Sequence, residues 1–309
     1  MKIAVLAGGV GGARFVRALR EVVDPAGITV IANVGDDLVV HGLHVSPDID
    51  TLLYTLGGLA DEERGWGRAD ETWNALETIR ELGGDAWFQL GDRDIGLHLV
   101  RTEALSRGER LSAVTQRLAA AIGVDVRLLP ATDERLRTRV RTPAGELEFQ
   151  DWFVRRGHRD RVDGVVYAGA DAARPAPGVA DALAGADLIA IAPSNPFVSI
   201  GPILAVAAIR DALVKRRQRV VAVSPLIGGR AVKGPADAMF HSLARGTSAG
   251  DVADCYAGLI EALVLDEADA ADAAEVEARR VRPLVTRTLM TDPQARRGLV
   301  ETVLGLVPA

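Results

Sequence analysis

The sequence predicts an α/β fold: a Rossmann-like, mostly parallel sheet with helices on both faces and a small helical insertion. Three observations lead there. An apolar run, Lys2–Ala7, ends in a cluster of glycines and is followed by a helical pattern and a second apolar run, the βαβ opening of a parallel sheet. Similar runs then alternate with helical patterns through most of the chain. One stretch, about residues 51–121, breaks that alternation with helical patterns and little strand. Residues 1–50 and 122–309 are therefore assigned to a Rossmann-like nucleotide-binding core, and 51–121 to a helical subdomain inserted in it.

In order, the first strand is Lys2–Ala7, apolar from Ile3 onward as a strand buried on both faces should be. A helix is expected over about Ala13–Val23 and a second strand over Ile28–Ala32. In the insertion, helices are expected at Thr51–Leu59, Glu71–Glu81, Arg93–Ser106 and Leu111–Ala121. Further strands are read at Val124–Leu129, Gly164–Ala168, Leu188–Ala192, Val220–Val223 and Leu259–Leu265, with helices at Gly201–Arg216 and Pro235–Leu243. Arg137–Thr142 and Glu146–Phe149, joined by Pro143-Ala144-Gly145, read as a hairpin. The acidic, alanine-rich Asp266–Ala278 reads as an exposed helix.

Composition is that of an ordinary soluble globular protein: 309 residues, 48% hydrophobic and 25% charged. The single cysteine, Cys255, excludes an internal disulfide and suits a reducing cytoplasm. No apolar stretch is long enough to span a membrane, and none resembles a signal segment. A formal charge of −6 argues against bulk nucleic-acid binding, which needs a basic face. A homodimer is the expected assembly.

Chemistry concentrates after the first two strands. Gly8, Gly9, Gly11 and Gly12 lie between a strand and a helix, where backbone N–H groups and the helix dipole attract anions. The alternative is a tight turn with no ligand. The dinucleotide fingerprint fails, because Arg14 stands where its third glycine belongs, and the P-loop pattern is absent. After the second strand come Asn33-Val34-Gly35-Asp36-Asp37, then His41 and His44, then Ser46-Pro47-Asp48-Ile49-Asp50-Thr51. Asp36, Asp37, Asp48 and Asp50 offer hard oxygen ligands beside the expected phosphate site, and Asp36, Asp48 and Asp50 are assigned to magnesium (Mg2+). Against this, Asp50 or Ser46 can simply cap the following helix. His41 and His44 read as hydrogen-bonding loop residues rather than zinc ligands. Ser194 and Asn195 follow another strand and can read a base or ribose. Gly229 and Lys233 lie in a second glycine-rich loop, where the lysine either reaches a phosphate or is solvated. Trp66, Trp73 and Trp87 either stack on a planar ligand or, more often for such residues, form a local core.

Taken together, Gly8-Gly9-x-Gly11-Gly12, Ser46-Pro47-Asp48-Ile49-Asp50-Thr51-x-x-Tyr54, Leu90-Gly91-Asp92-Arg93-Asp94, Ala192-Pro193-Ser194-Asn195-Pro196 and the run Ser224–Asp237 resemble the 2-phospho-L-lactate transferase family of coenzyme F-420 biosynthesis. The resemblance covers about residues 1–250. It implies that a ribityl hydroxyl of the deazaflavin Fo attacks the phosphorus carrying a lactyl or enolpyruvyl group in a guanosine diphosphate ester. GMP would leave with magnesium assisting, giving F-420-0 or its dehydro form. By the same resemblance Asp50 and Arg93 contact Fo, with Thr51 and Tyr54 in the same motif. The residues themselves are compatible: phosphoryl transfer is mainly positioning and charge stabilisation, and Asp48 or Asp50 can hold the metal or take the hydroxyl proton. Two rivals stand beside this. A sugar-nucleotide nucleotidyltransferase would carry a Pro-Lys pair downstream of the glycines, which the chain lacks. A non-enzymatic nucleotide-sugar-binding regulator would share the glycines and the Asn-Pro segment.

Overall fold

The computed structural model describes residues 1–243 and 246–307. Its central sheet has seven strands: β1 Ile3–Ala7, β2 Ile28–Ala32, β3 Arg127–Pro130, β4 Leu188–Ile191, β5 Val220–Val223, β6 Ala262–Leu265 and β7 Arg282–Val285. They are all parallel, in the order β3-β2-β1-β4-β5-β6-β7. This is the doubly wound order, in which the chain reverses its direction of travel between β1 and β4. The register is continuous there: β1 pairs Ile3 to Ala7 with Ile28 to Ala32 on one side, and Ile3 to Leu6 with Leu188 to Ile191 on the other. Every residue of β1, β4, β5 and β6 is buried, which explains their unbroken apolar sequences.

Helices cover the sheet. α1 (Gly9–Arg20) packs against α2 (Pro47–Leu56) and the late helix Pro293–Leu304, while Val179–Gly185 packs against Ala207–Lys215. Residues 51–121 contribute α2, α3 (Asn74–Glu81), α4 (Asp92–Ser106) and α5 (Leu111–Ile122), with an isolated bridge between Ala60 and Arg68 and no strand of the main sheet. Leu52, Leu53, Val114 and Leu118, from α2 and α5, join the main core, whereas α3 buries only Leu76.

Several elements differ from the sequence reading. α1 begins at Gly9, so Gly11 and Gly12 belong to its first turns rather than to a loop. α2 begins at Pro47, placing Asp48 and Asp50 inside its first turn. Gly164–Ala168 is a strand but not of the main sheet. It pairs antiparallel with Arg137–Thr142, which also pairs with Gly145–Glu148. All five of its residues are only half-buried, and an apolar run does not encode which edge it joins. The expected helix Gly201–Arg216 is broken, with a bend of 92° between Pro196–Ala205 and Ala207–Lys215. The expected strand Leu259–Leu265 is reduced to Ala262–Leu265, and β7 was missed because Arg282-Pro283 is a poor strand opening. Asp266–Ala278 is a 3-10 turn followed by a short helix. Asp266 and Asp269 are buried there because they accept backbone N–H groups. No single helix among the described residues is long and apolar enough to cross a membrane.

Candidate active site

The carboxyl ends of β1 and β4 part at the point where strand order reverses, the usual ligand crevice of such sheets. Three close approaches bring the elements together. A Cβ on Gly8 would lie 2.3 Å from Asp48 Oδ2; one on Gly11, 2.5 Å from the Pro193 carbonyl; one on Gly12, 2.7 Å from Ser194 Oγ. The glycines therefore let α1 press onto the loop after β4 and let a carboxylate reach its amino end. Ser194 locks that approach, its hydroxyl donating to the Gly8 carbonyl at 2.8 Å and lying 3.4 Å from the Gly8 N–H.

Asp48 is the centre of the arrangement. Asn33, wholly buried, donates from Nδ2 to Asp48 Oδ2 at 2.9 Å and to the Val198 carbonyl at 3.1 Å, while its Oδ1 accepts from Gly35 N–H at 2.7 Å. Asn33 thus has its polar atoms committed to protein partners and orients Asp48. Burial pushes the Asp48 carboxyl up to about 6; hydrogen bonds from Asn33 and the Gly9 N–H pull it back, and Asp37 and Asp50 add to the rise. Asp36 is raised well above the ordinary carboxylate range, first by burial and then by Asp48. One oxygen of Asp36 and one of Asp37 are buried with no hydrogen-bond partner. The other Asp37 oxygen accepts from Ser46 Oγ at 2.9 Å and meets His44 Nε2 at 3.0 Å, so His44 is a hydrogen-bonding residue, on the short strand Leu43–Val45 rather than in a loop, and Ser46 does not cap α2 with its side chain. His41 is exposed at the tip of the hairpin formed by Leu38–Val40 and Leu43–Val45.

Asp50 points elsewhere. The Arg101 guanidinium binds both of its oxygens, Nη1 to Oδ2 at 3.0 Å and Nη2 to Oδ1, and the Ser46 N–H donates to Oδ2 at 3.2 Å. Arg101 is wholly buried, and His98 lies beside both partners, its Nδ1 3.3 Å from Arg101 Nη1 and 3.8 Å from Asp50 Oδ2. Burial alone would lower the Arg101 pKa, but the Asp50 carboxylate outweighs it and the guanidinium is held above its ordinary value. The chain of contacts continues from His98 Nε2, 3.3 Å from Asp94 Oδ1, to the Tyr54 hydroxyl, which donates to the same Asp94 oxygen. Among the described residues, no three acidic, histidine or cysteine side chains converge as a ready-made metal site, so Asp36, Asp48 and Asp50 do not meet at one point.

The remaining expected site residues divide clearly. Thr51 donates its hydroxyl to the Pro47 carbonyl within α2, at 2.8 Å. Arg93 is exposed at the amino end of α4, where its N–H and that of Asp94 are held by Glu71 at 2.9 Å each, and its guanidinium has no partner among the described residues. Asp92 caps α3 instead, accepting from Thr72, Asn74 and Ala75, and these bonds hold its carboxyl down at about 2. Asn195 caps the turn Pro196–Ile200, with Oδ1 accepting from Phe197 and Val198 N–H. The Gly228 and Gly229 N–H groups are filled by Asp269, and Lys233 Nζ donates to the Gly65 carbonyl at 3.2 Å. A narrow cleft between α1, α2 and the 61–67 turn is lined by Val10, Thr51, Tyr54 and Trp66. A cavity of about 730 Å³ lies beside Asp187, Lys215 and Arg219 at the amino ends of β4 and β5, the wrong edge of the sheet for this chemistry.

Arg101 and His98, which surround Asp50, are the members of this arrangement that sequence reasoning missed. Asp94, His98 and Arg101 fall at helical spacing beside buried Leu97 and Ala104, and a polar stripe on an apolar helix face is the signal that marks them.

From residue 3 to residue 295 the chain matches the family described as 2-phospho-L-lactate transferase CofD. A phosphoenolpyruvate transferase of Kitasatospora aureofaciens is 45% identical over 313 residues, covering 99% of this chain and 98% of that one. One of Streptomyces griseus is 44% identical with the same coverage, and one of Mycobacterium bovis 40% identical over 97% of both chains. Two solved structures of a Bacillus halodurans protein, one described as a member of the upf0052 family, superpose with TM-scores of 0.65 and 0.64 at 17% identity. Both comparisons cover 98% of this chain, with 99% and 98% of the other, and show a shared fold.

Proposed function

The chain belongs to the 2-phospho-L-lactate transferase CofD family and is a transferase; on that premise we propose that it moves a phosphoenolpyruvyl group from enolpyruvyl-diphosphoguanosine to the deazaflavin Fo. A ribityl hydroxyl oxygen of Fo forms the new bond to the phosphorus that carries the enolpyruvyl group. The bond from that phosphorus to the oxygen of GMP breaks, GMP leaves with that oxygen, and the hydroxyl proton passes to a base. The relatives' names favour enolpyruvyl over lactyl as the transferred group.

The observation that carries the reading is the meeting of Asp48 with the amino end of α1 at the strand-order reversal. The helix end attracts the donor's phosphates, whereas Asp48 repels them. A divalent cation between carboxylate and diphosphate removes the conflict. The residues fit one: Asp36 and Asp37 each keep a buried oxygen with no partner, and magnesium is commonly held by one or two carboxylates plus substrate phosphates. Magnesium would neutralise the diphosphate and aid the departure of GMP. Asp48, with Asp36, would hold it. Asp48 also suits proton acceptance, because its carboxyl, raised to about 6, lies near working pH. Asp50 enters as a positioning residue, since Arg101 already holds both its oxygens. Arg93, whose guanidinium has no partner among the described residues, is the Fo-contacting residue.

The test is product mass. Fo, magnesium and the enolpyruvyl or lactyl donor are mixed with the protein, and Fo-derived products and GMP are followed by liquid chromatography and mass spectrometry. Fo gaining the phosphoenolpyruvyl mass with equimolar GMP supports the assignment. Fo recovered unchanged with both donors overturns it.

A further inference from the structure

The cavity at the amino ends of β4 and β5 has a charge unlike the rest of the chain. The protein carries a formal charge of −6, yet Lys215, Arg216, Arg217 and Arg219 face this one space against a single carboxylate, Asp187. Two of the cations build its walls. Arg216 donates from both Nη groups to the Ala184 and Ala186 carbonyls at the end of the helix Val179–Gly185. Arg217 donates from Nε to the Ile260 carbonyl at 2.9 Å and from Nη2 to the Arg280 carbonyl at 2.7 Å. Carbonyls fix a guanidinium without neutralising it, and Arg216 Nε is buried with no partner. A carboxylate comes near only Arg217, Glu261 Oε2 at 3.8 Å from Nη1.

Lys215 and Arg219 are uncommitted. The Lys215 ammonium has no hydrogen bond or ion pair among the described residues, and Arg219 makes only a 3.5 Å contact with the Asp187 carbonyl. Asp187 already accepts the Lys2 N–H at 2.7 Å. Cations at helix ends commonly offset the helix dipole, and two helices, Val179–Gly185 and Ala207–Lys215, end here. Each end supplies only about half a negative charge, so four full positive charges exceed what capping needs.

We infer that this cavity is a second ligand site, for a small molecule bearing a di- or triphosphate chain, separate from the proposed transfer site. Guanidinium forks match phosphate oxygens, and cations spaced over five residues suit several linked charges better than one. The volume, about 730 Å³, exceeds what a lone anion fills and lies in the range of about 300–1,000 Å³ usual for small-molecule sites.

Calorimetry at low salt, with inorganic tripolyphosphate as the probe, tests this. The native protein is compared with Lys215→Gln combined with Arg219→Gln, and thermal melts and GDP titrations run in parallel. The double variant is expected to melt like the native protein and bind GDP unchanged, while tripolyphosphate binding weakens about tenfold or more, the scale of a lost charge-assisted hydrogen bond. ATP binding more tightly than tripolyphosphate makes a nucleotide the ligand; equal or weaker binding makes it the bare polyphosphate chain, and either keeps the site. Absence of tripolyphosphate binding to the native protein overturns the inference. So does equal binding by the variant, an equal loss of GDP affinity, or citrate binding as tightly as tripolyphosphate.

Discussion

Arg101 holds both carboxylate oxygens of Asp50 in an ion pair closed off from solvent, joining the first turn of α2 to the middle of α4. Removing one member of such a pair strands the other charge in the interior. Asp50→Asn is therefore expected to cost about 3–5 kcal/mol of stability, although asparagine is as good a helix cap as aspartate. Asp50→Asn combined with Arg101→Met should cost less than Asp50→Asn alone. Urea unfolding of the variants measures both, and an Asp50→Asn protein as stable as the native one would show that the pair contributes nothing.

Asp48 carries the opposite electrostatic signature. Its folded carboxyl titrates near 6 rather than 3.8, chiefly through burial, so the folded state holds a proton that the unfolded state releases. The stability this group contributes is complete below about pH 4 and is lost as pH rises through 6. Asp92 and Asp94, whose carboxyls are lowered, act in the reverse sense, so the informative quantity is a difference. The melting temperature of Asp48→Asn minus that of the native protein should be higher at pH 8 than at pH 4. A flat difference across that range contradicts the burial argument.

Gly8→Ala tests the approach of Asp48 to α1. The new methyl would fall 2.3 Å from Asp48 Oδ2 and 2.9 Å from Ser199 Cβ, so the carboxylate must move. A cost of about 1–3 kcal/mol is expected from overpacking, with turnover falling further than stability because the proposed base is displaced. Gly8→Ala in an Asp48→Ala background should lose less stability than in the native one. Equal losses would place the strain elsewhere.

Arg93→Ala should separate substrate contact from architecture. The guanidinium has no partner among the described residues, whereas the backbone N–H is anchored by Glu71 and is unaffected by the substitution. Stability should change by no more than about 0.5 kcal/mol, while KM for Fo rises and kcat for saturating Fo changes little. A melting temperature that drops with unchanged KM would assign Arg93 to the fold.

The magnesium dependence proposed above would have a proton-linked form. Metal binding requires ionised carboxylates, and Asp36 and Asp48 both hold protons more tightly than usual. Apparent magnesium affinity should weaken as pH falls below 6, measured by competition with manganese bound to the protein. An affinity independent of pH between 5 and 8 would remove Asp36 and Asp48 as the ligands.

How far the sequence reaches is visible in individual residues. The unbroken apolar runs of β1, β4 and β5 were legible because a parallel strand covered on both faces has no polar side to display. Gly8 and Asp48 were legible as neighbours of one site, since both follow strands that a βαβ unit sets side by side. Gly164–Ala168 was legible as a strand but not in its partner, because pairing depends on which edge lies free in space. Trp66, Trp73 and Trp87 do not form the buried local core that was the commoner expectation: none of the three is buried, whereas Trp152 is.

The order of elements, the glycines after β1 and the motif pattern of the family were thus determined by sequence alone, because local propensity and hydrophobic period are written residue by residue. Which aspartate Arg101 engages was decided only by tertiary structure. Asp48 and Asp50 are two positions apart on one helix turn, chemically identical and equally acidic in isolation. Their 3.6-residue geometry turns them about 200° apart, one toward the amino end of α1 and the other toward Arg101, 51 positions further along the chain. A charge's role follows from the dielectric and the partners around it, and those are supplied by segments that meet only when the chain has folded.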